Sequence, residues 1–174
     1  MFRLYFIVIL VVIPAFAYAY DAEVGPQTSA KTTVSVVIPK LIRVQSVSDF
    51  DMGTYISSSD NLTGSDDLNI GSNAGSSLDS YNVTINGSGA NGEYVLQSQS
   101  TVTIPFSVYF NDEIGLVGRE KVTSGIILSG QNGATPLYDS TPNANLSIEI
   151  NKSALTLSDA NYYQGSLIVL IQPD

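Results

Sequence analysis

The sequence has no cysteine, no histidine and no tryptophan among its 174 residues. Without cysteine there is no disulfide, no thiolate metal site and no cysteine nucleophile. Without histidine the usual general base and the commonest metal ligand are both missing. Basic residues are also scarce, with seven Lys and Arg against sixteen Asp and Glu and a formal net charge of −9. Neutralising phosphates takes Lys and Arg, so this balance argues against nucleic acid as a partner and against an anionic lipid surface. These absences point away from an enzyme and call for no cofactor. The acidity reads as solubility.

Long apolar runs are missing too, apart from one at the N-terminus. Arg3 precedes an almost unbroken apolar stretch over 4–13, and A-F-A (15–17) and A-Y-A (17–19) each fit a small-x-small cleavage site. The run is short for a membrane span. We therefore expect a secretory signal peptide over 1–19, cleaved after Ala19. Losing Arg3 leaves six basic residues against sixteen acidic ones, a mature charge of −10. Secretion without cysteine fits a bacterial envelope better than a small eukaryotic extracellular domain.

The length of the remaining chain is that of one domain with a sizeable core. Residues 20–30 are polar with Gly25 and Pro26 and read as a leader. From Lys31 the pattern is β almost throughout. Alternation and β-branched content predict strands over 33–38, 41–47, 50–56, 79–85, 93–97, 101–110, 114–117, 125–128, 146–150 and 166–171. Tyr81, Val83 and Ile85 share one face of their strand. Pro105 suggests an edge or bulge. Asn86-Gly87 and Asn91-Gly92 read as turns. Residues 57–77, interrupted by the short run Leu68-Asn69-Ile70, and 129–145 read as loops, and no stretch has convincing helical periodicity. Many short strands with turns about every 8–12 residues suggest a sandwich or barrel.

Little in the chain suggests reaction chemistry. The acidic clusters Asp49/Asp51, Asp60 and Asp66/Asp67 lack the ligand alternation and closing Glu of a calcium loop and read as solvated. Nothing brings two of those carboxylates together as a glycosidase pair, and neither S-x-x-K nor G-x-S-x-G occurs. The N-x-[ST] triplets at Asn61, Asn82, Asn86, Asn145 and Asn151 are what an Asn-, Ser- and Thr-rich chain yields by composition. Tyr81, Tyr94, Tyr109, Tyr162 and Tyr163 lie in or beside strands. Core or interface packing explains them better than a sugar-binding platform.

Three stretches carry a family resemblance. The first is T-T-V-S-V-V-I-P-K-L-I-R-V followed by D-F-D-M-G-T-Y. The second is L-D-S-Y-N-V-T-I-N-G followed by Y-V-L-Q-S and T-V-T-I-P-F-S-V-Y-F-N-D. The third is N-Y-Y-Q-G-S-L-I-V-L-I near the C-terminus. In that order they resemble a chaperone–usher pilin subunit, of the archaic spore-coat-U-like or the colonisation-factor type. The missing cysteine moves the likeness toward the latter. Met52 stands where that family commonly has Phe, and Asn161 where it commonly has Gly.

The resemblance implies an all-β fold: an incomplete immunoglobulin-like β-sandwich lacking its last strand, with an N-terminal donor-strand extension. It implies a leader and donor strand over 20–40 and a pilin domain over 41–174. It also implies assembly into a surface fimbria, after capture by a periplasmic chaperone and transfer at an outer-membrane usher, with neighbouring copies or other pilins as partners. Val34, Val36 and Ile38 share one face at period two and are the expected groove-filling side chains. Thr33, Ser35 and Val37 take the other face, and Pro39, lacking an N–H, ends the strand. The acceptor side is expected to include Leu167, Val169 and Ile171, with Ile168 and Leu170 facing away. The C-terminal carboxylate, on Asp174, is the one the resemblance implies that the chaperone's Lys and Arg hold. The alternative is an adhesin- or lectin-like binding module, either a tip adhesin or a self-contained secreted β-sandwich that recognises sugar.

Overall fold

The computed structural model describes residues 32–56, 60–73, 80–99 and 102–174. The expected signal peptide, its cleavage site at Ala19 and the leader as far as Lys31 lie outside them. The chain divides into two units, Met1–Val37 and Ile38–Asp174.

The second unit is a β-sandwich. Its larger sheet contains β1 (Ile42–Gln45), β2 (Leu62–Ser72), β6 (Ser107–Asn111), β7 (Glu120–Val122) and β10 (Ala144–Ile150), in the order β1-β2-β10-β6-β7. The two-residue β9 (Thr135–Pro136) runs parallel to the end of β2. The smaller sheet is β11-β3-β8, formed by β3 (Tyr81–Gly87), β8 (Leu128–Gln131) and β11 (Leu167–Pro173). A separate hairpin pairs β4 (Val95–Gln97) with β5 (Thr103–Pro105). Apart from the β2–β9 contact, every ladder is antiparallel.

Alternation builds the core. Leu68 and Ile70 on β2, Val108 and Phe110 on β6, and Ala144, Leu146 and Ile148 on β10 face Tyr81, Val83 and Ile85 on β3 and Ile171 on β11. All of these are buried. Residues two apart on a strand share a face, so one row from each strand builds the interior.

The strand that organises the larger sheet is the one that composition hides. Residues 57–77 read as a loop, yet Leu62–Ser72 is an eleven-residue strand between β1 and β10. Its inward positions are Leu62, Gly64, Asp66, Leu68 and Ile70, a period-two row diluted by a glycine and a carboxylate. Beyond Leu68, where pairing with β10 stops, a side chain takes over. The Asn143 amide accepts from Ile70 N at 2.8 Å and donates to Ile70 O at 2.9 Å. It satisfies the main chain there as a neighbouring strand would.

Other expectations are corrected. Residues 50–56 form no strand, and Gly53 there has φ 64°. Residues 114–117, expected as a strand for their apolar content, lie in a bend and turn that passes through Gly115 and Gly118 at φ 81° and 83°. The expected strand 101–110 is broken at Phe106, whose N–H bonds to Tyr94 O at 3.0 Å. The expected strand 125–128 begins only at Leu128. The loop assigned to 129–145 holds most of β8, all of β9 and the start of β10. A short helix, α1 (Lys152–Thr156), was not foreseen. Asn151 caps it by accepting from Ser153 N at 2.9 Å.

The turn over 112–119 covers the outer face of the larger sheet. Asn111 Nδ2 donates to Gly115 O at 3.2 Å and to Val117 O at 2.8 Å, and Gly115 N donates to Asp67 Oδ1 at 3.1 Å. Asn145 Nδ2 reaches the same Asp67 oxygen at 2.7 Å. Arg119 lies 4.0 Å over the Tyr109 ring, donates to Ser147 Oγ at 3.3 Å and pairs with Glu149 at 2.8 Å. Asp67, read as a solvated loop residue, is thus a hub of sheet cover.

Candidate functional site

Each sheet ends in a strand with an open side. β1 closes one end of the larger sheet and β11 one end of the smaller, and among the described residues no strand pairs with the outer edge of either. The two approach each other. The start of β1 and the end of β11 are tied at one corner, where Lys40 Nζ donates to the main-chain oxygen of Asp174 at 2.8 Å.

The side chains along this opening are apolar and only partly covered. Ile42 and Val44 on β1 and Leu167 and Val169 on β11 pack against the core yet stay half-buried. Ile171, further along β11, is 9% exposed. Ile168 and Leu170 point outward and are exposed. Along β11 a covered row thus alternates with an exposed one.

Beyond β1 the chain leaves strand geometry at Ser46, whose φ is 65°, and runs on beside the first half of β2. Ser48 N donates to Asp66 Oδ2 at 2.7 Å. Phe50 and Met52 then lie over Gly64. A Cβ at Gly64 would stand 2.9 Å from Met52 Sδ and 3.1 Å from Phe50 Cδ1, so a larger residue there would push these side chains off the inner face of β2. Sequence reasoning did not single out Phe50 and Met52 as lining residues. The available signal was their period-two spacing after β1, which was read as a strand.

On its outward face β1 is anchored by Arg43. One terminal nitrogen of its guanidinium donates to Asp139 O at 2.7 Å and to Asn69 Oδ1 at 3.4 Å. The Thr141 N–H donates to Asp139 Oδ1 at 2.8 Å and is the main reason this carboxyl sits below its ordinary range, with Arg43 adding a smaller effect. The Tyr81 phenol is pushed up, first by burial and then by Asp112. Tyr94 is also raised by burial, against a hydrogen bond with Ser124.

Of the expected donor residues, Val34 and Val36 belong to the first unit and are 89% and 82% exposed. Ile38, the first residue of the second unit, is exposed as well. None of residues 32–38 is in a strand. Asp174, expected to carry the C-terminal carboxylate, accepts from Lys40 Nζ through its main-chain oxygen at 2.8 Å. Its side chain accepts from Ser80 Oγ at 2.9 Å and from Asn82 Nδ2 at 3.3 Å, and its N–H donates to Ser80 O at 3.1 Å.

No protein-family model matches the chain. No curated protein matches it either. Among solved structures it is similar to a chain of a chaperone–tip adhesin complex studied for CFA/I fimbriae biogenesis. The TM-score is 0.56 at 14% sequence identity, over 76% of this chain. The chain spans 41% of the length of that solved chain. At this identity the likeness is one of fold alone, that of a β-rich chain with packed antiparallel sheets. Among the described residues no helix is long and apolar enough to cross a membrane.

Proposed function

We propose that the protein is a structural subunit of a surface fimbria that polymerises by donor-strand exchange. Its 41–174 domain is then an immunoglobulin-like sandwich lacking one strand, and its 20–40 segment carries the strand that completes the next copy. One observation carries this reading: the terminal strands β1 and β11 face each other across half-buried apolar rows, with no strand among the described residues on either outer edge. An open edge of this kind is a template for strand addition. Main-chain hydrogen bonds would supply affinity, and alternate side chains entering the groove would supply specificity.

The occupant is the 33–38 segment of a second copy. Val34, Val36 and Ile38 enter beside Leu167, Val169 and Ile171 of the acceptor. Burying each of these aliphatics contributes roughly 1.5–3 kcal/mol before ordering costs. Before assembly a periplasmic chaperone fills the groove and holds Asp174, and exchange takes place at an outer-membrane usher. The signal peptide over 1–19 delivers the chain to the periplasm, and the assembled protein stands on the cell surface. The fold likeness to a chain of a chaperone–tip adhesin complex supports this setting.

The test is thermal unfolding of the mature chain lacking residues 20–40, with and without a synthetic 31–42 peptide. The expected result is a labile domain whose Tm rises sharply with the peptide. A domain that is stable alone and indifferent to the peptide would show the sandwich to be complete in itself.

A further inference from the structure

At the end of β4 the chain makes a contact outside both sheets. Gln97 and Gln164 form an antiparallel bridge, with Gln97 N donating to Gln164 O at 2.8 Å and Gln164 N to Gln97 O at 3.0 Å. Two residues that exchange both main-chain bonds carry their side chains on the same face. Two positions further along, period two brings Gln99 from one segment and Tyr162 from the other to that face. Exposure agrees: Gln97, Gln99, Tyr162 and Gln164 are all exposed, whereas the alternate residues Ser98 and Tyr163 are half-buried. Tyr163 turns away and donates to Asp159 O at 3.0 Å.

The result is an open cleft of about 440 Å³. Its approach depends on Gly165, where a Cβ would fall 2.6 Å from Val95 O. The remaining lining is serine, and no charged residue contributes. Among the described residues the three carboxamides make no hydrogen bond. Tyr162 is 76% exposed, so it does not pack into the core of its own chain.

We propose that this cleft binds a neutral hexopyranose unit of a glycan. The chemistry selects that class. Each carboxamide offers both donor and acceptor, as sugar hydroxyls require, and serine hydroxyls do the same. An exposed tyrosine presents an apolar ring with a polar tip, suited to the C–H face of a pyranose with its hydroxyls at the rim. The lack of charge in the lining disfavours phosphate, sialic acid or a charged peptide. One sugar in an open cleft binds weakly, with Kd in the millimolar range. Copies repeated along a polymer would raise the avidity. The inference stands apart from strand exchange, because the cleft lies within one chain.

The test is ligand-observed saturation-transfer NMR on the full secreted chain. The probes are the methyl glycosides of glucose, galactose and mannose, and N-acetylglucosamine. At least one should give a saturable signal. Tyr162→Ala should weaken it about tenfold or more, and Gln164→Ala should also weaken it while leaving the main-chain bridge intact. Tyr162→Phe should retain binding, and Tyr138→Ala, which alters an exposed tyrosine outside the cleft, should not change it. Absence of a saturable signal from all four sugars overturns the proposal. So does unchanged binding by both alanine variants at the cleft.

Discussion

Tyr81 on β3 and Phe110 on β6 meet edge to face, with ring centroids 6.3 Å apart and planes at 89°. They join the two sheets at the centre of the core, and both are fully buried. The geometry is one that aromatic pairs favour. Truncating Phe110→Ala removes the ring and leaves a cavity, so chemical denaturation should show a loss of about 3–5 kcal/mol. A loss within that of an ordinary surface substitution would mean that the sheets do not meet there.

Tyr81 also carries a liability. Its hydroxyl is buried and has no hydrogen-bond partner among the described residues, and burial raises its pKa. A raised folded-state value means that the unfolded chain releases the proton first. The contribution is therefore fully present below the ordinary tyrosine value of about 10 and is lost progressively as pH rises above it. Tyr81→Phe should remove this alkaline slope. At neutral pH it should be neutral or stabilising by about 1 kcal/mol, because it deletes an unsatisfied polar atom and keeps the ring. Denaturation midpoints at pH 7 and above pH 10 test both halves. A variant that keeps the wild-type alkaline slope would assign the slope to another group.

Asn143 stands in for a missing piece of strand. Besides bonding both polar groups of Ile70, its amide donates to Gly133 O at 2.6 Å. Replacing it with alanine strands Ile70 N at a buried position and leaves Ile70 O only the Thr135 hydroxyl at 3.3 Å, at a cost of about 1–3 kcal/mol for the unsatisfied group. Asn143→Asp keeps an acceptor for Ile70 N but sets an ionised oxygen against the Ile70 and Gly133 carbonyls, so at neutral pH it should be no more stable than alanine, and it should gain on alanine at acid pH, where the protonated carboxyl can donate again. Urea unfolding of the three proteins gives the order directly.

The same region shows what sequence could and could not reveal. β3, β10 and β11 were legible because Tyr81-x-Val83-x-Ile85, Leu146-x-Ile148-x-Ile150 and Leu167-x-Val169-x-Ile171 alternate cleanly. β2 was not, because Gly64 and Asp66 occupy inward positions and their reasons lie far along the chain. Gly64 makes room for Met52 and Phe50, and Asp66 receives Ser48 N. Tertiary contact overrode local propensity there. The turn at 114–117 misled in the opposite sense, since Ile114, Leu116 and Val117 have strand-like composition but are exposed. For the candidate groove, the inward row of β11 could be read from alternation. The covering pair Phe50 and Met52 could not, because the break at Ser46 is a backbone feature with no strong residue signature.

Gly64 gives a local test of that covering segment. Gly64→Ala places a methyl 2.9 Å from Met52 Sδ and 3.1 Å from Phe50 Cδ1. Overpacking of this kind typically costs 1–3 kcal/mol, about the range expected here. Because the nearest atom belongs to a flexible side chain, adding Met52→Ala should relieve part of the strain, and the double variant should be less destabilised than the sum of the singles. Strict additivity in a thermal or urea double-mutant cycle would place Met52 away from Gly64.

The proposed exchange makes a prediction about faces. Val36 and Val37 are adjacent, both β-branched and both exposed, so composition alone would rank them equally. Period two separates them: Val36 shares the groove-facing row with Val34 and Ile38, and Val37 shares the opposite row with Thr33 and Ser35. A carboxylate carried into an apolar groove loses its hydration without gaining a partner, whereas on the opposite row it stays in water. Val36→Asp should therefore abolish peptide-induced stabilisation and assembly, and Val37→Asp should leave both within about twofold of wild type. Calorimetry with 31–42 peptides carrying each substitution reads the affinity, and sedimentation of the secreted variants reads assembly. Equal loss from both substitutions would mean that the segment does not bind as a strand with one buried face. Loss from Val37→Asp alone would keep strand exchange but shift the register by one residue, placing Val37 in the groove and Val36 in solvent.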